Sequence, residues 1–310
     1  MQGKRPRVSF GIPVYNGEAS LRCCLDSILA QEFTDFEVVV CDNASTDRTP
    51  EILVDYATRD DRFRVHRNDE NIGLIRNFNR VFELARGEYF RWVGADDWLE
   101  PDYASACVAA LDADSGAILA TSYFSLNQSD GQSECREFSG EFLESDRPER
   151  RFARALWFFH AGAGLFEPIY SLMRREVLAT TGLVRMAKNN DWMLAAELAL
   201  KGRFLHLPRP LFHRSWRPDF IDDQGLLLDW FSPGGRDAIS SSTLGVLRVL
   251  VEIIHGADLT PRQRARCYRA ALHFCSIEGS RRFARAFQRV RRERLGLTRQ
   301  RLRDLLHGGS

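Results

Sequence analysis

Residues 8–42 read VSFGIPVYNGEASLRCCLDSILAQEFTDFEVVVCD, and this stretch decides the fold. Its beginning and its end are apolar and rich in β-branched residues, which predicts two buried strands. Between them, apolar residues recur at helical spacing, namely Leu21, Leu25, Ile28 and Leu29. A strand, a helix and a second strand joined by short connections form the unit of a parallel α/β sheet.

The same alternation continues as far as residue 94. The segments 49–60 and 75–87 have the pattern of helices, and 62–67 and 88–94 have that of strands. Four strands and three intervening helices are therefore predicted before Asp96. Because ligands bind beyond the carboxyl ends of the strands in such sheets, we expect three sets of residues to converge on one face: Pro13 to Asn16, Asp42 to Asp47, and Asp96 with Asp97.

The second half of the chain is less regular, and no internal repeat is visible in it. The expected elements, in chain order, are a helix at 101–113, a strand at 117–126, a surface hairpin or loop at 127–150, an amphipathic helix at 150–164, a strand running into a helix at 168–178, a helix after Asn190, and a strand pair before Trp216. Further on, Thr260 with Pro261, and later Ser280, are predicted to begin helices.

Charge is unevenly distributed along the chain. Residues 261–310 contain 14 Arg and 3 acidic residues, whereas the first 260 contain the remaining 29 basic and 39 acidic residues of a chain whose net charge is +1. The Arg-rich segment that follows Ser280 has the pattern of a basic amphipathic helix. Such a helix commonly lies on an anionic membrane or docks on an acidic partner. The alternative is a helical bundle that packs on the main domain with its Arg side chains solvated, and nucleic acid is not expected as a partner.

Targeting and cysteine patterns add two expectations. No apolar run is long enough for a transmembrane helix, and the N-terminus lacks the apolar core of a signal peptide. The seven cysteines contain no CxxC pair, which favours reduced thiols. A cytoplasmic protein is therefore expected, with the Arg-rich C-terminus able to hold it peripherally at the inner face of a membrane.

Three acidic positions could carry chemistry, and each also has a purely structural interpretation. Asp96 and Asp97 suit Mg²⁺ or Mn²⁺ together with substrate phosphates, or else form a solvated strand end. Asp42 could accept a hydrogen bond from a nucleotide base or a ribose, or it could shape a turn. Asp191 begins a helix, where an N-terminal capping acid is equally expected. No GxGxxG or Walker motif is present.

The ordered combination of these motifs resembles the inverting nucleotide-sugar glycosyltransferases of family 2. The resemblance begins with the opening stretch and continues through NDENIGLIRNFNRVFELARGEYFRWVGADDWLEPDY (68–103), EPIYSLMRREVLATTG (167–182) and NNDWMLAAELALKGRFLHLPRPLFHRS (189–215). It implies the GT-A fold, a Rossmann-like α/β architecture with a mostly parallel central sheet flanked by helices. The implied organisation is a catalytic domain at 1–215, a flexible lid or linker at 216–242, and a basic helical extension at 243–310.

The resemblance also implies roles for individual residues. Asp191 matches the general base, Asp96 the metal-binding second acid of the DxD motif, and His213 a further contact to metal or diphosphate. Donor-binding residues are implied at Pro13, Tyr15, Glu18, Asp42, Asn71, Arg76 and Asp97. The implied cofactor is Mg²⁺ or Mn²⁺, the donor a UDP, dTDP or GDP sugar, and the acceptor a glycan or a lipid-linked molecule.

The sequence departs from this pattern at two positions. Gly94 replaces the first acid of the DxD motif, and Asn190 replaces the acid that precedes the general base. The first departure removes an acid that could contribute to metal affinity, whereas the second leaves Asp191, which matches the base, in place. The predicted function is a hexosyltransferase-type, metal-dependent glycosyltransferase of cell-envelope polysaccharide or glycolipid assembly. Its rivals are a degenerate nucleotide-sugar-binding module, which Gly94 suggests, and a sugar-nucleotide pyrophosphorylase, whose basic phosphate loop the chain lacks.

Overall fold

A mixed sheet of nine strands forms the centre of the protein. The computed structural model describes residues 5–128, 130–161, 168–186, 190–216 and 243–294. The strands are β1 (Val8–Val14), β2 (Phe36–Asp42), β3 (Phe63–Arg67), β4 (Tyr89–Trp92), β5 (Trp98–Leu99), β6 (Ala117–Gln128), β7 (Ser133–Arg136), β8 (Leu172–Arg174) and β9 (Arg203–Trp216). The strand order is β3-β2-β1-β4-β8-β6-β9-β5, and β7 pairs with β6.

Helices surround this sheet. They are α1 (Leu21–Leu29), α2 (Thr49–Arg59), α3 (Leu74–Leu84), α4 (Tyr103–Ala113), α5 (Pro148–Ala161), α6 (Arg175–Leu178), α7 (Asn190–Lys201), α8 (Thr243–Gly256) and α9 (Pro261–Arg294), with a 3-10 helix at Pro168–Tyr170. The predicted order of four strands and three helices before Asp96 is confirmed. Strands β3, β2, β1 and β4 are mutually parallel, whereas β8 pairs antiparallel with both β4 and β6.

Both faces of the sheet are buried, which explains why apolar residues of β1, β2 and β4 do not alternate strictly with polar ones. One hydrophobic cluster joins alternate residues of β1 and β2 to the apolar faces of α1, α2 and α4. A second cluster, on the opposite face, joins residues of β2 and β4 to α3, α5 and α7. Alternation along a strand accounts for this division, since Val38 and Val40 face one layer while Val39 faces the other.

Helices α8 and α9 pack on the main domain through a third hydrophobic cluster. Leu250 and Ile254 of α8 and Cys267 and Phe274 of α9 meet apolar residues of α5 and α7 there. The Arg264 side chain donates hydrogen bonds to the carbonyls of residues 254, 255 and 257, so it satisfies the carbonyl end of α8. The beginning of the basic extension is therefore held by burial of apolar surface.

A buried guanidinium joins the two halves of the sheet. Arg91 of β4 is 1% exposed, and its guanidinium lies 4.1 Å from the ring centre of Tyr103 in α4 and 4.5 Å from that of Phe212 in β9. It donates hydrogen bonds to the Tyr103 hydroxyl, at 2.5 Å, and to the Tyr170 carbonyl. Two aromatic faces and two oxygens thus stabilise a charge that burial alone would destabilise.

Two details differ from the sequence-based expectations. The predicted strand pair at 203–216 is wrong, because β9 is a single strand that bulges near Pro208 and Pro210 while it pairs with β6. Proline cannot donate to the ladder, so the pairing slips without a turn. The predicted helix start at Ser280 is also wrong, since α9 continues through it. Gly279 costs only about 1 kcal/mol within a helix, and no proline interrupts it.

Three further expectations concern the hairpin, the linker and membrane-spanning helices. The predicted hairpin at 127–150 contains the antiparallel pair of β6 and β7. The predicted lid or linker lies outside the described residues, apart from Trp216, which ends β9. Within the part of the chain that is described, no helix combines the length and apolar character needed to cross a bilayer.

Candidate functional site

The loops that follow β1 and β2 are tied together at the carboxyl edge of the sheet. Val14 and Asp42 lie opposite each other in the two parallel strands. The Asn16 amide donates to the Ser45 hydroxyl at 2.9 Å, and the Asn16 side chain accepts from the Thr46 amide at 2.8 Å. The predicted convergence of these loops is therefore observed directly. Asn16 has a φ of 51°, a value that asparagine tolerates better than most residues do.

Glu18 forms hydrogen bonds that connect the same two loops. Its amide donates to the Asp47 carboxylate at 3.0 Å, and its own carboxylate accepts from the Arg48 amide at 2.8 Å. Pro13 is buried within β1 opposite Cys41, whereas the Tyr15 side chain is 38% exposed. Of these predicted donor-binding residues, Tyr15 and Glu18 are exposed, and Glu18 also contacts the backbone of the neighbouring loop.

Asp42 is buried, and both of its carboxylate oxygens are engaged. It is 1% exposed; Oδ1 accepts from the Ser45 amide and Oδ2 from Nη1 of Arg67, each at 2.9 Å. Nη2 of Arg67 also donates to the Ser45 carbonyl at 2.9 Å. The bond from the Ser45 amide supports the turn interpretation of Asp42, and the pairing with Arg67 is an additional feature of the structure.

Asn71 belongs to a group of asparagine side chains beside this turn. Its Oδ1 accepts from Nδ2 of Asn43 at 2.7 Å and from the Gly73 amide at 2.9 Å. Nδ2 of Asn68 donates to the side chains of both Asn43 and Asn77. These bonds fix the loop between β3 and α3. Arg76, the other residue predicted in this stretch, is exposed in the first turn of α3.

The two adjacent acids after β4 have different environments. Asp97 is 2% exposed, and its Oδ2 lies 3.4 Å from Nε of Arg214 in β9. Asp96 is partly exposed, and its carbonyl accepts from the Ser215 hydroxyl at 2.7 Å. Trp98 pairs with His213 in the antiparallel strands β5 and β9, and Asp96 and Asp97 lie in the turn that precedes β5.

Gly94 provides the space that Asp97 occupies. A Cβ at position 94 would lie 2.6 Å from Oδ2 of Asp97 and 3.2 Å from Oδ1 of Asp96. The absence of a side chain at position 94, where the motif has its first acid, thus leaves the space in which the Asp97 carboxylate is buried. Beneath it, burial raises the pKa of the Cys24 thiol well above its ordinary value, and the charges of Asp97 and Asp96 raise it further, so this thiol stays neutral.

His213 is held by two neighbours. Its ring stacks on Trp98, with ring centres 4.9 Å apart and an angle of 5° between the planes. Its Nε2 lies 2.6 Å from Oε1 of Glu100, while Nδ1 is buried and has no hydrogen-bond partner among the described residues. With Nε2 engaged by a carboxylate, Nδ1 is the nitrogen that is left for a ligand.

Asp191 lies in the first turn of α7, as predicted. Its amide donates to Oδ1 of Asn190 at 2.7 Å, so Asn190 shapes the entry of this helix. Helix α7 packs against the 3-10 helix at Pro168–Tyr170. The Tyr170 ring in turn lies 4.5 Å from the Arg214 guanidinium. The helix that carries Asp191 is thus linked to the strand that carries His213 through Tyr170.

The residues present fit a divalent cation whose other ligands come from phosphates. No group of three or more His, Cys, Asp or Glu side chains is arranged to hold a metal within the described parts of the chain. Cations that bind substrate phosphates need only one or two carboxylates from the protein. The Asp96 carboxylate and Nδ1 of His213, a buried nitrogen without a hydrogen bond in that part of the structure, supply such a partial set.

Arg67 and Arg214 are members of the site that were not predicted from the sequence. Each lies opposite a buried acid: Arg67 is in register with Asp42, and Arg214 forms the ion pair with Asp97. A buried carboxylate at a strand end requires a cation, which was a usable signal. The identity of that cation depends on strand order and register, and the sequence does not display either.

The chain is similar to a known protein family. The model described as Glycosyl transferase family 2 matches residues 9–181. Among curated relatives, EpsH of Bacillus subtilis, which carries the name of a glycosyltransferase, is 29% identical over 153 residues. That alignment covers 49% of this chain and 43% of EpsH, so the chain spans less than half the length of this relative.

Solved structures share the fold. S. aureus TarS 1-349 in complex with UDP aligns with a TM-score of 0.62 and 20% identity, covering 86% of this chain and 70% of that one. The mannosyltransferase PcManGT from Pyrobaculum calidifontis, in complex with GDP-Man and Mn²⁺, aligns with a TM-score of 0.53 and 18% identity, covering 96% and 82%. The GT-A fold that the sequence implies is thereby confirmed.

The close approach at Gly94 leads to a test of stability. Gly94→Ala should lower the free energy of unfolding by about 1–3 kcal/mol, because the added methyl displaces the Asp97 carboxylate from its buried position beside Arg214. Urea denaturation measures this change. Gly256→Ala is the matched control, since an added Cβ there has no heavy atom within 4 Å and should cause no loss. A Gly94→Ala variant as stable as the parent would contradict the packing described for Asp97.

Proposed function

Because the chain belongs to glycosyl transferase family 2, we propose that it is an inverting glycosyltransferase. It moves a sugar from a nucleoside diphosphate sugar to an acceptor hydroxyl. The observation that carries the proposal is the convergence, at the carboxyl edge of the sheet, of the loops after β1 and β2, together with the half-exposed Asp96 after β4. Family membership also favours a transferase over a pyrophosphorylase.

The proposed mechanism assigns separate tasks to the acids. Asp191, at the positive end of α7, accepts the proton of the acceptor hydroxyl as that oxygen attacks the anomeric carbon from the side opposite to the diphosphate. Asp96 and Nδ1 of His213 would hold Mg²⁺ or Mn²⁺, which when bound supplies the positive charge that stabilises the departing diphosphate. Glu100 and Trp98 keep the His213 ring in the orientation that leaves Nδ1 available.

The donor is proposed to be a UDP, dTDP or GDP sugar. The two structural neighbours are described in complexes with UDP and with GDP-Man and Mn²⁺, which supports a nucleotide-sugar donor for the shared fold. Pro13, Tyr15, Asn71 and Arg76 are proposed to line the donor site, since they belong to the end of β1, the loops and the first turn of α3 at the carboxyl edge. Glu18 supports this site through its contact with Arg48.

The acceptor is proposed to be a glycan or a lipid-linked molecule of cell-envelope polysaccharide or glycolipid assembly. The basis is the C-terminal extension, whose residues 278–310 contain ten Arg and three acidic residues. An anionic membrane surface would attract such a segment and hold the enzyme at the cytoplasmic face, near acceptors of that kind.

The assignment of Asp191 is tested by removing its basicity. Asp191→Asn should lower the rate of donor turnover by about 10²- to 10⁴-fold, because the amide cannot accept the proton. Donor hydrolysis, with water as acceptor, measures the rate. The nucleotide for this assay is chosen from a thermal-shift panel of UDP, dTDP and GDP with Mn²⁺. A ligand at 100 times its dissociation constant raises the free energy of unfolding of the protein by about 2.7 kcal/mol.

Two controls accompany this variant. Nucleotide affinity should stay within about threefold of the parent, since a general base contributes to the chemical step. Glu51→Gln, an exposed acid in the first turn of α2, should keep the parental rate. Parental turnover in Asp191→Asn would remove the base assignment. Nucleotide binding without any turnover in the parent would instead indicate a binding module.

Metal dependence is tested at Asp96. Asp96→Asn should abolish most of the increase in nucleotide affinity that Mn²⁺ produces, because a neutral amide is a much weaker ligand for a hard cation. Calorimetric titration of the nucleotide with and without Mn²⁺ measures this coupling. Asp102→Asn, which alters a partly exposed acid paired with Arg209, should leave it unchanged. If Mn²⁺ raises the affinity of Asp96→Asn as much as that of the parent, Asp96 does not hold the ion.

The membrane proposal is tested by shortening the chain. A variant that ends at Ile277 keeps the buried residues Cys267 and Phe274, and it loses ten Arg. With about 1 kcal/mol gained for each basic residue near an anionic surface, the full chain should sediment with anionic vesicles at low salt and the short variant should not. Neutral vesicles are the control. Equal sedimentation of both chains would contradict a membrane role for the extension.

A further inference from the structure

An exposed tryptophan lies against an arginine near the end of α5. Trp157 is 49% exposed, and the Arg154 guanidinium lies 4.1 Å from its ring centre. The same guanidinium lies 4.6 Å from the ring centre of Phe158, which is buried. Burial of aromatic surface contributes strongly to protein cores and interfaces. A tryptophan that leaves half of its surface accessible therefore invites a search for what binds there.

The Arg154 guanidinium has hydrogen-bond donors that the described protein does not use. Its Nε is buried without a hydrogen-bond partner, and no hydrogen bond or ion pair engages the rest of the group among the described residues. Burial lowers the pKa of Arg154, and the charge of Glu141 offsets this effect only in part. A cation held in this way gains from an anion that supplies acceptors.

A second exposed aromatic residue extends this surface. Phe142 is 42% exposed and has a φ of 67°, a conformation that is costly for a bulky side chain. The Arg150 guanidinium lies 5.8 Å from its ring centre. Arg150 and Arg154 are four residues apart in α5, so both lie on one face of this helix. We call Phe142, Arg150, Arg154 and Trp157 together the α5 strip.

The α5 strip leads toward the helix end that carries Asp191. Helices α5 and α7 run antiparallel, because Arg151, near the start of α5, donates to the Ala199 carbonyl, near the end of α7, at 2.7 Å. At the other end of the pair, the Phe159 and Trp192 rings have their centres 5.7 Å apart. Trp192 follows Asp191 directly. The exposed tryptophan of the strip thus lies two residues from a contact with the first turn of α7.

We propose that the α5 strip binds the acceptor, and that this acceptor is a glycan whose sugars carry carboxylates. The inference rests on the proposed function, which requires an acceptor at Asp191. The flat face of Trp157 suits the C–H face of a pyranose ring. The planar fork of Arg154 suits a carboxylate, which can accept two parallel hydrogen bonds from it. One strip therefore offers a surface for the sugar ring and a partner for its charge.

The competing explanation is that Arg154 and Trp157 only stabilise the surface of α5. The chain offers a matched control in α2, where the Arg59 guanidinium lies 5.7 Å from the ring centre of Tyr56. There the ring is buried, and Arg59 forms an ion pair with Asp55 at 2.7 Å. Arg59→Met and Arg154→Met remove the same charge from the face of an aromatic ring. Only Arg154→Met should change glycan binding.

The experiment measures dissociation constants by calorimetry at about 0.15 M salt, which screens diffuse attraction between charges. The probes are short oligosaccharides of galacturonate, of alginate and of hyaluronan, each as the free acid and as the methyl ester. The ester keeps the sugar rings and removes the charge. The parent should bind at least one of the acids about tenfold or more tightly than its ester, because a charge-assisted pair is lost in the ester.

Two variants separate the roles within the strip. Arg154→Met should bind the acid no more tightly than the parent binds the ester, because the partner of the carboxylate is gone. Trp157→Ala should weaken binding of the acid about tenfold or more and keep the preference for the acid, because it removes the stacking surface and leaves the charge. Arg59→Met should bind both forms as the parent does.

Four outcomes would overturn the inference. They are equal affinity of the parent for acid and ester, absence of binding to all three acids, equal losses in Arg59→Met and Arg154→Met, and parental glycan binding by Trp157→Ala together with loss of its sedimentation with anionic vesicles. The last result would make the strip a membrane contact. Failure of the parent to bind any nucleoside diphosphate, with glycan binding as expected, would instead overturn the proposed function.

Discussion

The burial of Arg91 is the constraint on which the candidate site depends. Its guanidinium lies between the rings of Tyr103 and Phe212 and donates to the Tyr170 carbonyl, so one side chain of β4 contacts α4, β9 and the 3-10 helix. Asp96 follows β4, His213 follows Phe212, and the Tyr170 ring lies beside Arg214. A charge that can be buried only with these partners therefore determines how the first half of the sheet meets the second.

The cost of burying a charge without a partner also divides the acids of the site into two classes. Asp42 and Asp97 are buried, and each has an arginine from a neighbouring strand as its partner. A buried carboxylate that is paired in this way orients its partner. Asp96 is partly exposed. Exposure, which the residue type alone does not reveal, thus separates the two buried acids from Asp96.

Much of the fold could be predicted from the sequence, because the spacing of apolar residues identifies the strands and helices and their order along the chain. The alternation of strands and helices before Asp96 follows from local patterns, and these patterns agree with the final packing on both faces of the sheet. The errors arose where local signals conflict with tertiary contacts. A strand pair was expected before Trp216, but pairing with β6 keeps β9 continuous, with a bulge near Pro208 and Pro210. Ser280 suggested a helix start, but α9 passes through it.

By itself, the sequence determined the parallel first half of the sheet, the positions of the loops at its carboxyl edge, and the residue types there that suit a nucleotide and a cation. These properties depend on neighbours in the chain and on the period of apolar residues. The tertiary structure alone decided that Asp42 pairs with Arg67, that Asp97 pairs with Arg214 across the space left by Gly94, and that His213 presents Nδ1. These pairings join residues 25 or more positions apart, so strand order, register and burial set them.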